Sequence, residues 1–337
     1  MGDYTIQEIQ SQPEVWSRIL EAMWGESSPL QAVDRLTDSG PVLFIGCGSS
    51  YYLSLSAAAI LSRFAGGPAS ALSASEVMLF PECHFDPGVK GTVVAVSRSG
   101  KTTETCAGVT YLRRLGWHAI GISCTPASAV AEACDASLLL DQAAEKSRFM
   151  SRAFTGTLLA VQTWVAFRTR DQQLKRELLH LPDLGCVLLE RYARPIRDIA
   201  VRGKFDQYVF LGQGPYYGLA AESMLKTKEM ACTPAEAYHS LELWHGPRYA
   251  LTGSAMVVLL LSDGGRAQEL ALLPKIKSFG AQVAVICERA TPEVTAYADW
   301  VLELNSCLPE YARMLLVMPL TQLFAYHRAC ALGKTID

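Results

Sequence analysis

Short, unbroken apolar runs punctuate this chain, separated by longer stretches in which apolar residues recur every three or four positions. The runs "VLFIG", "VVAV", "AIGI" and "SLLL", and later "YVFLG", "VVLLL", "VAVIC" and "WVLEL", lack the in-and-out alternation of a strand with one wet face. They predict strands buried on both faces, with helices between them. Each half of the chain reads strand, helix, strand, helix, strand, helix, strand. That order predicts an α/β fold in which each parallel sheet lies between two layers of helices, a three-layer α/β/α arrangement.

The two halves also match each other in detail. "PVLFIGCGSSYYLSLSAAAIL" and "QYVFLGQGPYYGLAAESML" share a strand, a G-x-G turn, a Tyr-Tyr pair and a helical pattern, with Gly46 over Gly212 and Gly48 over Gly214 at an offset of 166. "VVAVSRSGKTTE" then matches "VVLLLSDGGRAQE", Ser97 over Ser262 and Glu104 over Glu269, at an offset of 165. "RLGWHAIGIS" with "SFGAQVAVIC", and "EACDASLLL" with "AYADWVLEL", follow at an offset of 164. Four landmarks in one order at nearly constant spacing indicate an internal duplication. The expected organisation is an N-terminal helical arm over residues 1–35, a first domain over 36–170, a helical linker over 171–200 and a second domain over 201–337.

Composition narrows the classes of function. With 337 residues, half of them hydrophobic, the chain has material for two packed cores. Its net charge is -3, with no long run of one sign, which argues against a nucleic-acid surface. The start "MGDYTIQEIQ" has neither the basic residues nor the apolar core of a signal peptide, and runs such as "AMVVLLL" are far too short to span a membrane. A soluble, cytoplasmic protein with neither nucleic-acid nor membrane partners is expected. The ten cysteines include no C-x-x-C pair and read as reduced core residues rather than disulfides or zinc ligands.

Candidate chemistry concentrates at two places. In "VVAVSRSGKTTET" a strand runs into Ser97, Ser99 and Thr102, and "LFIGCG" runs into Ser49 and Ser50. In an open parallel sheet, ligands bind beyond the carboxyl ends of the strands, where helix N-termini point outward. Five hydroxyls at two adjacent strand ends, with glycines that admit close backbone approach, suit a phosphate; the competing reading is that they are ordinary N-caps. Neither turn is a G-x-x-x-x-G-K-[ST] loop, and the lone G-C-G lacks the third glycine of a dinucleotide site. The second half has lost most of these hydroxyls.

That half carries ionisable groups instead. Glu222, Lys226 and Glu229 are spaced i, i+4, i+7 and fall within a sector of about 60° on one helix face. From spacing alone such a stripe reads as a solvated, ion-paired face. His245, in "WHGP", lies where Gly-Pro stops regular structure, and a carboxylate with a histidine can move a proton between carbons and open a sugar ring. No Ser-His-Asp elbow and no histidine pair with metal-ligand spacing is present.

Taken in order, "GCGSSYY", "SRSGKTTET", "EKSRFMSRAFT", "AAESMLKTKE", "AEAYHSLELWHGP" and "PLTQLFAYH" resemble two tandem sugar-isomerase (SIS) domains, those of the isomerase half of glucosamine-6-phosphate synthase. Even "IQEIQSQPEVW" looks like the linker that precedes that half. The resemblance implies that Ser49, Ser50, Ser97, Ser99 and Thr102 hold the phosphate of a hexose 6-phosphate, with Arg98 between the serines. It implies that Glu229 shuttles a proton between carbons 1 and 2, with Glu222 and Lys226 as neighbours. It further implies that His245 opens the ring in the active site of the neighbouring subunit of a homodimer. The glutaminase domain with its nucleophilic cysteine is not in this sequence, so hydrolysis of glutamine by that route is not expected. The family's P-R-N-L-x-K segment, whose lysine forms a Schiff base with the ketose, would follow "ALGKTID", and Lys334 is not assigned that role.

The expected function is aldose/ketose isomerisation of a hexose or hexosamine 6-phosphate, with or without release or addition of ammonia, needing no metal or organic cofactor. Two alternatives stay open. One is removal of an amino acid from a 6-phosphorylated fructosamine, and the other is a non-catalytic sugar-phosphate sensor.

Overall fold

A computed structural model of the chain describes residues 3–37, 40–64 and 67–337. They divide into two compact units, one of Ser11–Lys146 with Met150–Pro182, the other of Met1–Gln10, Ser147–Phe149 and Asp183–Asp337. The first unit holds five parallel strands, β1 (Val42–Gly46), β2 (Ala69–Ser73), β3 (Thr92–Val96), β4 (His118–Ser123) and β5 (Ala136–Leu139), in the order β2-β1-β3-β4-β5. The second repeats the plan with β6 (Gln207–Gly212), β7 (Ala235–His239), β8 (Ala255–Leu260), β9 (Gln282–Cys287) and β10 (Trp300–Glu303), in the order β7-β6-β8-β9-β10. Each sheet is flanked by helices, which gives the three-layer α/β/α fold expected from the apolar runs.

Every residue of β1, β3 and β8 is buried, as strands covered on both faces must be. Residues on one face of β1 and β3 pack with Val77, Val109 and Leu112 in the first unit; those of β6, β8 and β9 pack with Leu273 and Ile276 in the second. Each fully buried aliphatic side chain contributes roughly 1.5–3 kcal/mol through removal of apolar surface from water.

Each sheet has one strand more than the apolar pattern predicts. β2, "ASALS", and β7, "AEAYH", are half-buried edge strands built of small and polar residues, so no apolar run marks them. The 171–200 stretch is two helices, Gln172–Leu179 and Leu181–Arg202, rather than one. In the N-terminal arm, Asp3–Gln10 belongs to the second unit, whereas Gln12–Trp24 belongs to the first. All ten cysteines are free, but only Cys124 and Cys287 are buried; Cys83, Cys186, Cys232, Cys307 and Cys330 are exposed, which corrects their reading as core residues. Apolar neighbours in sequence do not decide which face of a helix a cysteine takes. Among the described residues, no helix is long and apolar enough to cross a membrane.

The strand order decides where a site can form. After β2 the chain crosses β1 to begin β3 on its far side, so the connections leaving β1 and β3 diverge to opposite faces of the sheet. The crevice between two such strand ends is the usual ligand position in open α/β sheets. It lies between β1 and β3 in the first unit, and between β6 and β8 in the second.

Candidate functional site

At the first crevice, β1 ends at Gly46 and the helix Ser49–Phe64 begins after two intervening residues. A Cβ at Gly46 would lie 2.7 Å from the carbonyl carbon of Ser50, and Gly48 sits at φ +53°, so both glycines are required by the turn. Ser49 and Ser50 are buried in the helix's first turn. On the neighbouring strand, the Ser97 N–H donates to the Ile122 carbonyl at 3.0 Å, while Ser97 Oγ lies 2.9 Å from Thr102 Oγ1. Gly100, at φ +63°, completes the turn; a Cβ there would meet Ser128 Oγ at 2.0 Å. Ser99 is exposed, and its Oγ accepts from the Lys101 N–H at 3.3 Å.

Thr102 is the N-cap residue of the helix Thr103–Arg114, but its side chain makes no capping bond. Its hydroxyl turns to Ser97 instead. The capping role that competes with a phosphate role is therefore not used at this position.

Arg98 is held at both ends. Its carbonyl accepts the Cys124 N–H at 3.1 Å, and Nη1 donates to Glu145 Oε2 at 3.1 Å. The Glu145 side chain is fully buried, and its Oε1 accepts from Ser151 N at 2.7 Å, Ser151 Oγ at 2.8 Å and Ala153 N at 3.1 Å, at the start of the helix Arg152–Arg168. Burial, reinforced by the charge of Glu145, pushes the nearby Cys124 thiol up to about 12. Sequence reasoning passed over Glu145, although it opens the motif "EKSRFMSRAFT".

In the second unit, the helix Tyr216–Ala231 carries the Glu-Lys-Glu stripe. Glu222 is fully buried and Lys226 is 1% exposed, so the stripe is not a solvated face. Lys226 Nζ lies 3.4 Å from Glu222 Oε1 and donates to Glu229 Oε2, while the Glu229 side chain reaches the surface at 35% exposure. A buried cation thus stands between an inner and an outer carboxylate. His245 is exposed; it ends the 3-10 turn Glu242–His245, and Gly246 at φ +139° follows. Arg248 Nη1 donates to the Trp244 carbonyl at 2.6 Å, and its guanidinium stacks 4.4 Å from the centroid of the Trp244 ring. The His245 side chain makes no hydrogen bond or ion pair among the described residues. Another histidine, His239 at the end of β7, stacks on Tyr217 with ring centroids 3.8 Å apart, and burial lowers its pKa against the opposing pull of Glu242.

The second crevice is filled from within. Glu269, fully buried, accepts from Ser262 N at 2.9 Å and Ser262 Oγ at 2.6 Å on one oxygen, and from Ser240 Oγ at 2.5 Å on the other. Beside it Arg313, 2% exposed, donates to Asp263 Oδ1 at 2.6 Å and the Leu308 carbonyl at 2.8 Å. Glu310 Oε1 accepts the Asp263 N–H at 2.6 Å, and burial raises the Glu310 pKa.

The SIS domain pattern matches residues 35–166 and again 204–330. The chain belongs to the SIS domain family. The glutamine–fructose-6-phosphate aminotransferase [isomerizing] of Bordetella pertussis is 28% identical over 353 residues, an alignment covering 100% of this chain and 54% of that protein. The chain thus spans about half the length of the curated relatives it matches. Two solved structures share its fold. They are the C-terminal domain of glucosamine-fructose-6-phosphate aminotransferase from Francisella tularensis (TM-score 0.89, 23% identity, covering 100% of this chain and 98% of that one) and tagatose-6-phosphate ketose/aldose isomerase from Escherichia coli (TM-score 0.90, 21% identity, covering 100% and 95%).

Proposed function

We propose that this SIS protein is a phosphosugar isomerase acting on a hexose or hexosamine 6-phosphate. The observation that carries the reading is the buried Lys226 between Glu222 and the surface carboxylate of Glu229. Desolvating a cation and a carboxylate on one helix costs several kcal/mol, which a solvated face avoids, and such arrangements concentrate at functional sites. In this reading Glu229 takes a proton from carbon 1 or carbon 2 of the open-chain sugar and returns it to the other carbon, through an enediol or enolamine. Lys226 places positive charge where the sugar oxygen becomes negative, and His245 exchanges the proton that opens the ring. Ser49, Ser50, Ser97, Arg98, Ser99 and Thr102 hold the phosphate. The similar proteins include an isomerizing aminotransferase and a ketose/aldose isomerase, which differ in whether nitrogen takes part; following ammonia during turnover decides between those routes for this chain.

The test is exchange in deuterated water with fructose 6-phosphate, glucosamine 6-phosphate and fructoselysine 6-phosphate. Wild-type protein should place deuterium on the carbon beside the carbonyl. Glu229→Gln, which keeps shape and removes basicity, should bind normally and lose about two to four orders of magnitude in turnover. Equal exchange in both proteins by proton NMR would return the stripe to a structural role. Binding without exchange in either would favour a sensor, and release of lysine from the fructosamine would favour the deglycase reading.

The same reading places His245 in the active site of a second copy of the chain. Light scattering should then give twice the monomer mass. Mixed dimers of Glu229→Gln and His245→Ala chains should regain up to half of wild-type activity, because one of their two sites is intact. Absence of any recovery would place both groups in one chain's site.

A further inference from the structure

We propose that Glu145 is a positioning residue for the phosphate site, acting through Arg98; the proposal rests on the assignment of Arg98 to that site. Three hydrogen bonds from the start of the helix Arg152–Arg168 hold Glu145 Oε1, which leaves Oε2 fixed toward Arg98 Nη1 at 3.1 Å. The carboxylate cannot turn away without releasing all three. Arg98 is pinned in the backbone as well, through its carbonyl to Cys124 and through Ser97 N to Ile122. A long guanidinium side chain, 31% exposed, is thereby ordered before any ligand arrives. Ordering a flexible side chain in advance removes part of the entropy cost of binding.

The sign of the effect separates this role from a simple charge effect. As a bare negative charge, Glu145 opposes an anion, so neutralising it would tighten phosphate binding. As a positioning group it favours binding, so neutralising it weakens binding. Glu145→Gln keeps an oxygen for Ser151 and Ala153 but turns an amide N–H against the Arg98 donor, which displaces the guanidinium.

The experiment is calorimetric titration with inorganic phosphate and with fructose 6-phosphate across a double-mutant cycle. Arg98→Gln should weaken both ligands about tenfold or more, as loss of a charge-assisted contact does. Glu145→Gln should weaken both by roughly three- to tenfold in the wild-type background and not at all in the Arg98→Gln background. Unchanged or tighter binding by Glu145→Gln, or an equal loss in both backgrounds, overturns the proposal; the second result marks Glu145 as support for the helix start alone. Should Glu145→Gln lose its cooperative melt, Arg98→Lys keeps the charge and changes the reach. It should bind about as weakly as Arg98→Gln, and wild-type affinity in Arg98→Lys would overturn the proposal. If Arg98→Gln itself binds like wild type, or wild type binds neither ligand, the phosphate-site reading fails and this inference with it.

Discussion

The turn after β3 and the turn after β8 leave equivalent strands of equivalent sheets, and each carries a serine within two residues of the strand end, Ser97 or Ser262. What those serines meet is different. Ser97 Oγ meets another hydroxyl, Thr102, and Ser99 beside it is exposed, so the first turn presents uncommitted hydrogen-bonding capacity next to an anchored arginine. Ser262 gives both its N–H and its hydroxyl to Glu269, and Arg313 and Glu310 take up the neighbouring Asp263. The second turn carries its own anion. One carboxylate satisfies the donors that an external phosphate would otherwise need, and its negative charge excludes that phosphate. The duplicated fold thus supplies two crevices, and in the second a buried carboxylate takes up the donors of the turn, whereas Ser97 in the first turns to a hydroxyl.

The sharpest way to break this comparison is to empty the second crevice. Glu269→Ala leaves three buried donors without an acceptor, and the protein should lose about 3 kcal/mol or more of unfolding free energy, read by chemical denaturation. A loss below about 1 kcal/mol would mean that water replaces the carboxylate and the crevice is not closed. The first crevice should respond in affinity, not stability. Ser99→Ala and Thr102→Val should each weaken a 6-phosphosugar about tenfold, equivalent to about 1.5–3 kcal/mol for a hydrogen bond to a charged group, with little change in melting. Unchanged affinity in both would leave these hydroxyls as parts of the turn. Ser262→Ala should do the reverse, costing about 1–3 kcal/mol of stability with no effect on phosphate binding.

The smallest expected effect concerns pH. Burial lowers the His239 pKa, so the unfolded chain binds its proton first as the solution is acidified. Stability should therefore fall as pH drops below the ordinary histidine value of about 6.5, until the folded-state group also protonates. His239→Gln should flatten that part of the stability-versus-pH curve. An identical slope in the variant would show that other groups set the acid limb.

Much of the architecture was legible because it follows from local pattern. Apolar runs without alternation marked eight of the ten strands, and the repeated landmarks marked the duplication. β2 and β7 escaped because an edge strand of small and polar residues has no periodic signature. The strand-end hydroxyls and the Glu222, Lys226, Glu229 spacing were visible as candidates, since turn residues and helical period can be read from neighbours in the chain. Glu145 was not visible as a partner of Arg98, because the pair is separated by 47 residues and meets only when β3 and the helix Arg152–Arg168 are in place.

By itself, the order of residues determined the fold class, the duplicated plan and the family motifs, since hydrophobic period, glycine turns and helix spacing act over a few residues at a time. Tertiary structure alone decided which polar groups are buried and what they meet. Lys226 could have sat on a solvated face, and Ser262 could have matched Ser97 in role as it does in sequence. Burial depends on what packs over a side chain, and a buried polar group must find a partner wherever the fold supplies one. That requirement is non-local, and here it separates a turn whose serine meets a hydroxyl from one whose serine is bound to a buried carboxylate.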